Sequence, residues 1–447
     1  MLGFAGTRNW VYPQWIDGRY QRIRRWTFAG LHVFLFVVPW LRLNGAPLLR
    51  FDLEARRLYA FGAMFTATDT ILLLLVLLFL AFSLFFFTSL YGRLWCGYGC
   101  PQTVLLEAWV RPVERWIEGE RTTRVRRDNG PWTWDRARRK AAKWSFFLLA
   151  AFVVSMSFMS FFAGARALWT GTAGPIEYSL VAIFTLVWFL DFAWFREQFC
   201  NFLCPYARFQ SVLTDDHTVQ VMYDQPRGEP RGGRDAKAAG RCIDCRKCVS
   251  VCPQGIDIRQ GFQLECVGCA ACVDACTSVM SKLGHTTLID YDTLARVQGR
   301  PARVLRPRTV GYAALLATLL VAGTALVANR VPFEASVARA PGSLYTVDED
   351  GWVRNTYLLR VANNAATNAP VAFAVRVEGL ERAEVVVLPF SLAPEEGRMV
   401  PLVVRMPPES VHERTLPMRV RIAASLGERV LDTTFKTGGG HGGGSGS

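Results

Sequence analysis

Residues 242–276 read CIDCRKCVSVCPQGIDIRQGFQLECVGCAACVDAC. Cys242, Cys245, Cys248 and Cys252 are spaced C-x2-C-x2-C-x3-C, with Pro253 next, and Cys266, Cys269, Cys272 and Cys276 repeat the spacing. This doubled run is the pattern of a bacterial two-cluster ferredoxin, in which the fourth cysteine of each run ligates the other cluster. Three thiolates on one tight loop reach three irons of a cubane, and the partner run supplies the fourth. Cys242, Cys245, Cys248 and Cys276 are therefore expected to hold one [4Fe–4S] cluster, and Cys266, Cys269, Cys272 and Cys252 the other. Zinc also binds C-x2-C pairs but needs only four ligands per ion and no doubled rhythm. Thr277 stands where the commonest ferredoxin form has proline after the last cysteine.

Outward from this run the chain changes character. It has 447 residues, 51% of them apolar, and 51 Lys+Arg against 37 Asp+Glu for a net charge of +14. The apolar residues are concentrated. Ile71–Leu90, Trp144–Ala165 and Thr309–Asn329 are uncharged and long enough to cross a bilayer. Trp26–Leu41, with His32 and Pro39, and Tyr178–Phe195, with Asp191, bring the expected spans to five.

Basic residues mark the sides. Residues 1–25 carry five, 91–143 twelve and 196–308 sixteen, whereas the alternate connections 42–69 and 166–177 carry four and one. The positive-inside rule then places the N-terminus and the cysteine-rich segment in the cytoplasm and delivers residues 330–447 outside. That last segment balances 13 basic against 13 acidic residues. Topology and anionic headgroups account for the excess charge, so nucleic acid is set aside as a partner. Residues 1–25 do not resemble a cleavable signal.

The other four cysteines form two matched pairs. Cys96 and Cys100 (CGYGCP) follow the second span, and Cys200 and Cys204 (CNFLCP) the fourth. Spacing of i, i+4 on a helix puts both sulfurs of a pair on one face, and Pro101 and Pro205 bias the helix to stop. Both pairs arrive at the cytoplasmic interface, so four thiols can converge on one soft site, of the kind that selects Cu(I), zinc or iron–sulfur. A transient copper site, a third metal centre and a redox dithiol all fit.

From about Val331, alternating runs such as Tyr357–Val361, Val371–Val377 and Leu402–Arg405 are separated by Asn-, Gly- and Pro-containing turns, the pattern of an antiparallel β-sandwich. It lacks cysteine. The tail GGGHGGGSGS, 438–447, is flexible linker.

Other polar residues have plainer readings. His32 reads as a neutral imidazole bonded to a neighbouring helix. Met156 and Met159 read as packing. Asp191 reads as paired with a basic group or near the path of the metal. Arg121–Lys143 reads as a face for lipid headgroups, and RGEPRG, 227–232, as a turn. No dinucleotide fingerprint is present.

The chain resembles the CcoG/FixG (RdxA) group of cytochrome c oxidase accessory proteins. The resemblance runs through PWLRLNG (39–45), FDLEARR (51–57), GRLWCGYGCPQT (92–103), REQFCNFLCPYARFQS (196–211), YDQPRGEPRG (223–232) and the two cysteine runs, and GWVRNTY (351–357) looks like the start of that family's immunoglobulin-like domain. It implies a polyferredoxin-type cupric reductase of the bacterial inner membrane, reducing Cu(II) to Cu(I) while copper is supplied to a cbb-type oxidase, with Cys96, Cys100, Cys200 and Cys204 as candidate copper ligands and oxidase-assembly or copper-transport proteins as partners. A more distant resemblance, confined to the CxxxCP pairs and the ferredoxin core, is to NapH/NosR-type subunits. It implies a relay from quinol or ferredoxin to a protein partner without copper. A non-catalytic assembly factor is the third possibility.

The expected fold is thus an α-helical membrane protein of five transmembrane helices with an inserted two-cluster ferredoxin-like module and a C-terminal immunoglobulin-like β-sandwich. Its expected parts are a cytoplasmic segment 1–25, a four-helix membrane domain 26–208 with cytoplasmic loop 91–143, the ferredoxin domain 209–308, the fifth span 309–329 and the sandwich 330–437.

Overall fold

The apolar runs fold as helices, which pair every backbone N–H and C=O within the segment where lipid offers no partner. In the computed structural model, α1 is Arg19–Val37, α2 Thr70–Tyr91, α3 Trp134–Met159, α4 Pro175–Leu190 and α5 Pro307–Ala328. The structure describes residues 10–43, 45–66, 69–232, 240–365, 369–410 and 413–437, so the tail 438–447 lies outside it. Among the described residues four helical stretches are long and apolar enough to cross a membrane: Thr70–Tyr91, Trp134–Trp169, Pro175–Phe195 and Pro307–Ala328. The remaining expected span, Trp26–Leu41, forms the apolar half of α1 and falls short of the other four. Arg19, Arg22, Arg24 and Arg25 occupy the first turns of that helix, and a 3₁₀ turn, Val38–Trp40, ends it at Pro39.

Two compact units divide the chain, one of Met1–Trp40 with Leu73–Gly323 and one of Leu41–Leu72 with Thr324–Ser447. In the first, α3 and the following turns are packed on protein. Phe147, Ala150, Ala151 and Val154 share a core with Leu105, Leu106, Val110 and Phe192. Met156 and Met159 pack with Leu168 and Val181, so both thioethers serve packing.

The cysteine-rich segment is closed by an antiparallel pair of strands, Gln220–Tyr223 against Ile289–Asp292, with Val221 opposite Tyr291. Its two cysteine runs share a local form. Each passes through a left-handed residue, Arg246 (φ 54°) or Ala270 (φ 55°), and enters a helix, Lys247–Ser250 or Ala271–Met280. That bend between the second and third cysteines turns the loop back around one point. The strain of a non-glycine residue in this region is of the kind found at binding sites.

The second unit is a sandwich of two antiparallel sheets. One orders Glu384–Val386, Gly397–Met406, Val353–Asn363 and Phe333–Arg339; the other orders Phe390–Leu392, Val371–Glu378, Thr415–Ala424 and Gly427–Lys436. Along Val353–Asn363 alternate residues point inward, and Tyr357, Leu359 and Val361 join Leu402, Val404, Val420, Ile422 and Phe435 in the core. Inward residues with period two are what a half-buried strand requires. The first strand is Phe333–Arg339, so the sandwich begins before the GWVRNTY segment. Residues 41–72 belong to this unit and not to the membrane domain 26–208. There Leu49–Asp52, Arg57–Ala60 and Ala63–Phe65 form a meander, to which Arg330, three residues before the first sandwich strand, is bonded through Met64 O at 2.6 Å.

Candidate iron–sulfur and thiol site

Pro101 decides the geometry of the first thiol pair. Cys96 lies in the short helix Leu94–Tyr98, but Cys100 is extended (φ −66°, ψ 125°) and caps a new helix, Pro101–Leu105. The second pair repeats this. Cys200 lies in a π turn, Phe199–Leu203, and Cys204 (φ −73°, ψ 111°) caps Pro205–Leu213. The expected i, i+4 pair on one helix face is therefore corrected. The residue before proline is driven out of the α region, so each pair straddles a break, with the N–H of Cys100 on Trp95 O and that of Cys204 on Phe199 O, both at 2.9 Å.

The four thiols come together from elements a hundred residues apart. Burial raises the Cys200 thiol, and nearby Cys100, Cys96 and Cys204 raise it further. Burial pushes Cys96 up to about 12, with Cys100 adding to the effect. Cys100 is also raised by burial, while the backbone N–H groups of Thr103 and Gln102 pull it back. The amide of Gln210, itself buried, touches Cys96 Sγ at 3.6 Å. Gln102 Nε2 donates to both Asp191 oxygens at 2.8 Å and to Arg196 O at 3.1 Å. Asp191 is thus held by the amide of the CPQT turn, and among the described residues no hydrogen bond or ion pair joins it to a basic side chain.

Behind this site lies a buried charge network. Glu114 accepts from Arg124 Nη2 at 2.6 Å and from Arg196, with Arg111 and Lys143 each 3.7 Å away. Burial alone would raise the Glu114 carboxyl, but Arg196 and Arg124 outweigh it and hold it far below the usual carboxylate range. Arg124 and Lys143 are buried here, and Lys140 meets Asp128 at 2.7 Å. Arg124 and Lys143 of the expected headgroup face Arg121–Lys143 thus belong to an internal ion-pair layer, while Arg121, Arg126 and Arg138 are exposed. His32 is spent on structure, as its sequence context implies. Trp109 Nε1–H donates to its Nε2 and its Nδ1–H donates to Phe28 O, both at 2.6 Å, which fixes a neutral tautomer.

Cysteines ring two cavities in the ferredoxin-like segment. Cys242, Cys245, Cys248 and Cys276 line one of about 30 Å³. Cys252, Cys266, Cys269 and Cys272 line another of about 20 Å³, which Cys248 also reaches. Among the described residues no three His, Cys, Asp or Glu side chains are gathered tightly enough for a single ion. Four thiols around a hollow suit a cubane better than the closed tetrahedron of structural zinc. Burial pushes Cys248 and Cys252 up to about 12 and Cys266 to about 11, so metal ligation here must displace protons.

The second cavity abuts the thiol pairs. Gly97 packs against its wall so closely that a Cβ would lie 2.7 Å from Val267 O and 3.0 Å from Cys269 N and Cα. In return Gly268 (φ 64°) lies against Arg93 O. Cys96 and Cys269 share one buried cluster with Val251, Val267, Ala271 and Ala275. Sequence reasoning missed Gly97, Gln102, Gln210 and Glu114; the first three lie inside the longer motifs GRLWCGYGCPQT and REQFCNFLCPYARFQS, and Glu114 is one acid in a basic run.

A membrane-embedded iron–sulfur protein is defined by these parts: apolar spanning helices, paired thiols at their ends, a dicluster segment and a β-sandwich. The 4Fe-4S dicluster domain family matches residues 195–294, a second 4Fe-4S binding domain matches 72–119, and the IG-like fold at the C-terminal of FixG matches 324–437. The chain is 34% identical to protein RdxA of Cereibacter sphaeroides over 388 residues, 82% of each chain. It is 32% identical to the nitrogen fixation protein FixG of Rhizobium meliloti over 424 residues, 84% of this chain and 80% of that one. Protein RdxB of Cereibacter sphaeroides is 34% identical over 380 residues, 80% of each. The chain belongs to the FixG/RdxA family of iron–sulfur oxidoreductases.

Proposed function

We propose that the chain reduces Cu(II) to Cu(I) at the four thiols Cys96, Cys100, Cys200 and Cys204, for copper delivery during assembly of a cbb-type oxidase. In this reading Cys242, Cys245, Cys248 and Cys276 hold one [4Fe–4S] cluster and Cys252, Cys266, Cys269 and Cys272 the other. Such clusters carry one electron at a time, which is what cupric reduction consumes. The protein sits in the bacterial inner membrane with its N-terminus and cysteine-rich segment cytoplasmic and its sandwich periplasmic, as the distribution of Lys and Arg favours.

The observation that carries the reading is the contact of Gly97 with Cys269. It sets the backbone between Cys96 and Cys100 directly on the loop that lines the second cavity, so an electron crosses no intervening layer. Thiolate sulfur prefers Cu(I), which makes the transfer downhill. The four thiols lie near one another without closing around an ion, an arrangement suited to a substrate that must leave again. That same openness favours a second reading, a relay to a redox protein partner without copper.

The test is Cu(I) production, trapped by a chromogenic chelator, from anaerobic full-length protein reduced with dithionite. Rapid reduction in the wild type and loss in the Cys96→Ser/Cys200→Ser variant support copper as substrate. Equal rates in both, at unchanged iron content, leave the relay.

A further inference from the structure

Two buried amides cross between the thiol pairs. Gln102 lies in the helix that starts after Cys100, yet its side chain is spent on the second motif. Its Nε2 donates to both Asp191 oxygens and to Arg196 O, at the turn that leads from α4 toward Cys200. Gln210 lies in the helix that starts after Cys204, and its amide is spent on the first motif, against Cys96 Sγ. The two glutamines are 6% and 1% exposed. Each cysteine–proline break therefore starts a helix whose glutamine holds the other break.

The neighbours of Gln210 orient its amide. The Thr88 hydroxyl donates to Leu84 O at 2.6 Å, so in its contact with Tyr206 the tyrosine hydroxyl is the donor. The Tyr206 oxygen is then an acceptor for Gln210. Gln210 Nε2 carries two hydrogens; one serves Tyr206 and the other points to Cys96 Sγ at 3.6 Å. Its Oε1 stands 3.8 Å from the same sulfur. On the other side, Cys100 Sγ accepts from the backbone N–H groups of Gln102 and Thr103. Gln102 thus touches the first pair through its backbone and the second motif through its side chain.

We propose that Gln102 and Gln210 are positioning residues that join Cys96, Cys100, Cys200 and Cys204 into one copper site. The proposal rests on the copper reading above. Pro101 and Pro205 break the helices, so no continuous helix fixes the spacing within either pair, and the crossed amides supply the missing constraint. A buried polar network whose members are satisfied fixes a single arrangement. Amide oxygen and nitrogen compete poorly with sulfur for Cu(I). The glutamines therefore set where the thiols stand without themselves closing around the metal.

The experiment uses cluster-loaded full-length protein, kept anaerobic, with Cu(I) affinity read by competition against bicinchoninate. One tight Cu(I) per chain is expected. Gln102→Leu and Gln210→Leu should each weaken it at least tenfold at unchanged iron content. The double variant should be no weaker than either single one, because the pairs separate only once. Asp191→Leu should reproduce the loss, and Asp191→Asn, which keeps an acceptor for Gln102, should restore the affinity. In Cys96→Ser/Cys100→Ser, where one pair remains, the glutamine substitutions should cause no further loss. Wild-type affinity in either single glutamine variant, multiplied losses in the double variant, or an equal loss in the one-pair background would overturn the proposal. Wild-type affinity in Cys96→Ser/Cys100→Ser itself would instead remove the copper reading, and this inference with it.

Discussion

Gly97 and Cys269 touch backbone to backbone, with no room for even one carbon atom between them. One residue belongs to the turn after a membrane helix and the other to a metal-binding loop 172 residues later in the chain. Gly97→Ala places a methyl group against Val267 O and Cys269, both backbone atoms that cannot swing aside. Overpacking of this kind costs about 1–3 kcal/mol. The expected outcome is a lower Tm, with iron content retained and electron delivery to the Cys96 side slowed at least tenfold. Wild-type Tm and rate in Gly97→Ala would show that the contact is not tight.

The partition of ligands predicts iron counts. Two cubanes hold about eight irons per chain. Cys269→Ser should reduce this to about four, because the cavity it lines loses one of four thiols. Cys200→Ser should leave about eight, since its thiol is grouped with Cys96, Cys100 and Cys204 and lines neither cavity. Iron and acid-labile sulfide analysis decides it. Loss of half the iron from Cys200→Ser would place that residue among the cluster ligands.

The dicluster segment was legible because its ligands are local: the six intervals that matter lie within two runs of eleven residues, and loop geometry follows from spacing. The sandwich was legible from alternation, as Val353–Asn363 illustrates. The thiol site was legible only in its membership. Its shape depends on Pro101 and Pro205, whose effect on the preceding cysteine outweighs the i, i+4 rule. Gly97 and Gln210 have roles that only the meeting of distant elements creates. Glu114 carries no local mark that separates it from the acids around it, and its four cationic neighbours come from three different helices and the turn at Arg196.

That network makes stability depend on acid. The Glu114 carboxyl titrates lower in the folded protein than in the unfolded chain, where a Glu has a pKa of about 4.3. Such a group stabilises the fold fully above the unfolded value and loses its contribution as pH falls through the folded one. Glu114→Gln strands Arg196 and Arg124 and should cost about 3–5 kcal/mol near neutral pH. The difference in Tm between wild type and Glu114→Gln should be constant from pH 7 to about 5 and narrow below about 4.3. A difference that is small at pH 7, or that widens in acid, would mean the cations are satisfied without it.

In the sandwich, Asn355 takes the place of a hydrophobic core residue. It points inward on Val353–Asn363 and is 2% exposed. Its Nδ2 donates to Lys436 O at 2.8 Å, and its Oδ1 accepts from Lys436 N at 3.0 Å. One side chain thus closes both backbone groups of the last strand across the gap between sheets, beside Tyr357, whose hydroxyl donates to Thr434 O at 2.8 Å. Asn355→Ala leaves a donor and an acceptor facing an apolar core, at about 1–3 kcal/mol for each stranded group. Asn355→Asp keeps the acceptor but loses the donor and buries a charge, so it should be at least as harmful. Both variants are expected to lower the thermal transition of the β unit in the full-length protein, followed by far-ultraviolet circular dichroism, while the iron–sulfur absorption keeps its wild-type melting profile. A transition unmoved by Asn355→Ala would mean that water reaches Lys436 and that the end of the sandwich is open.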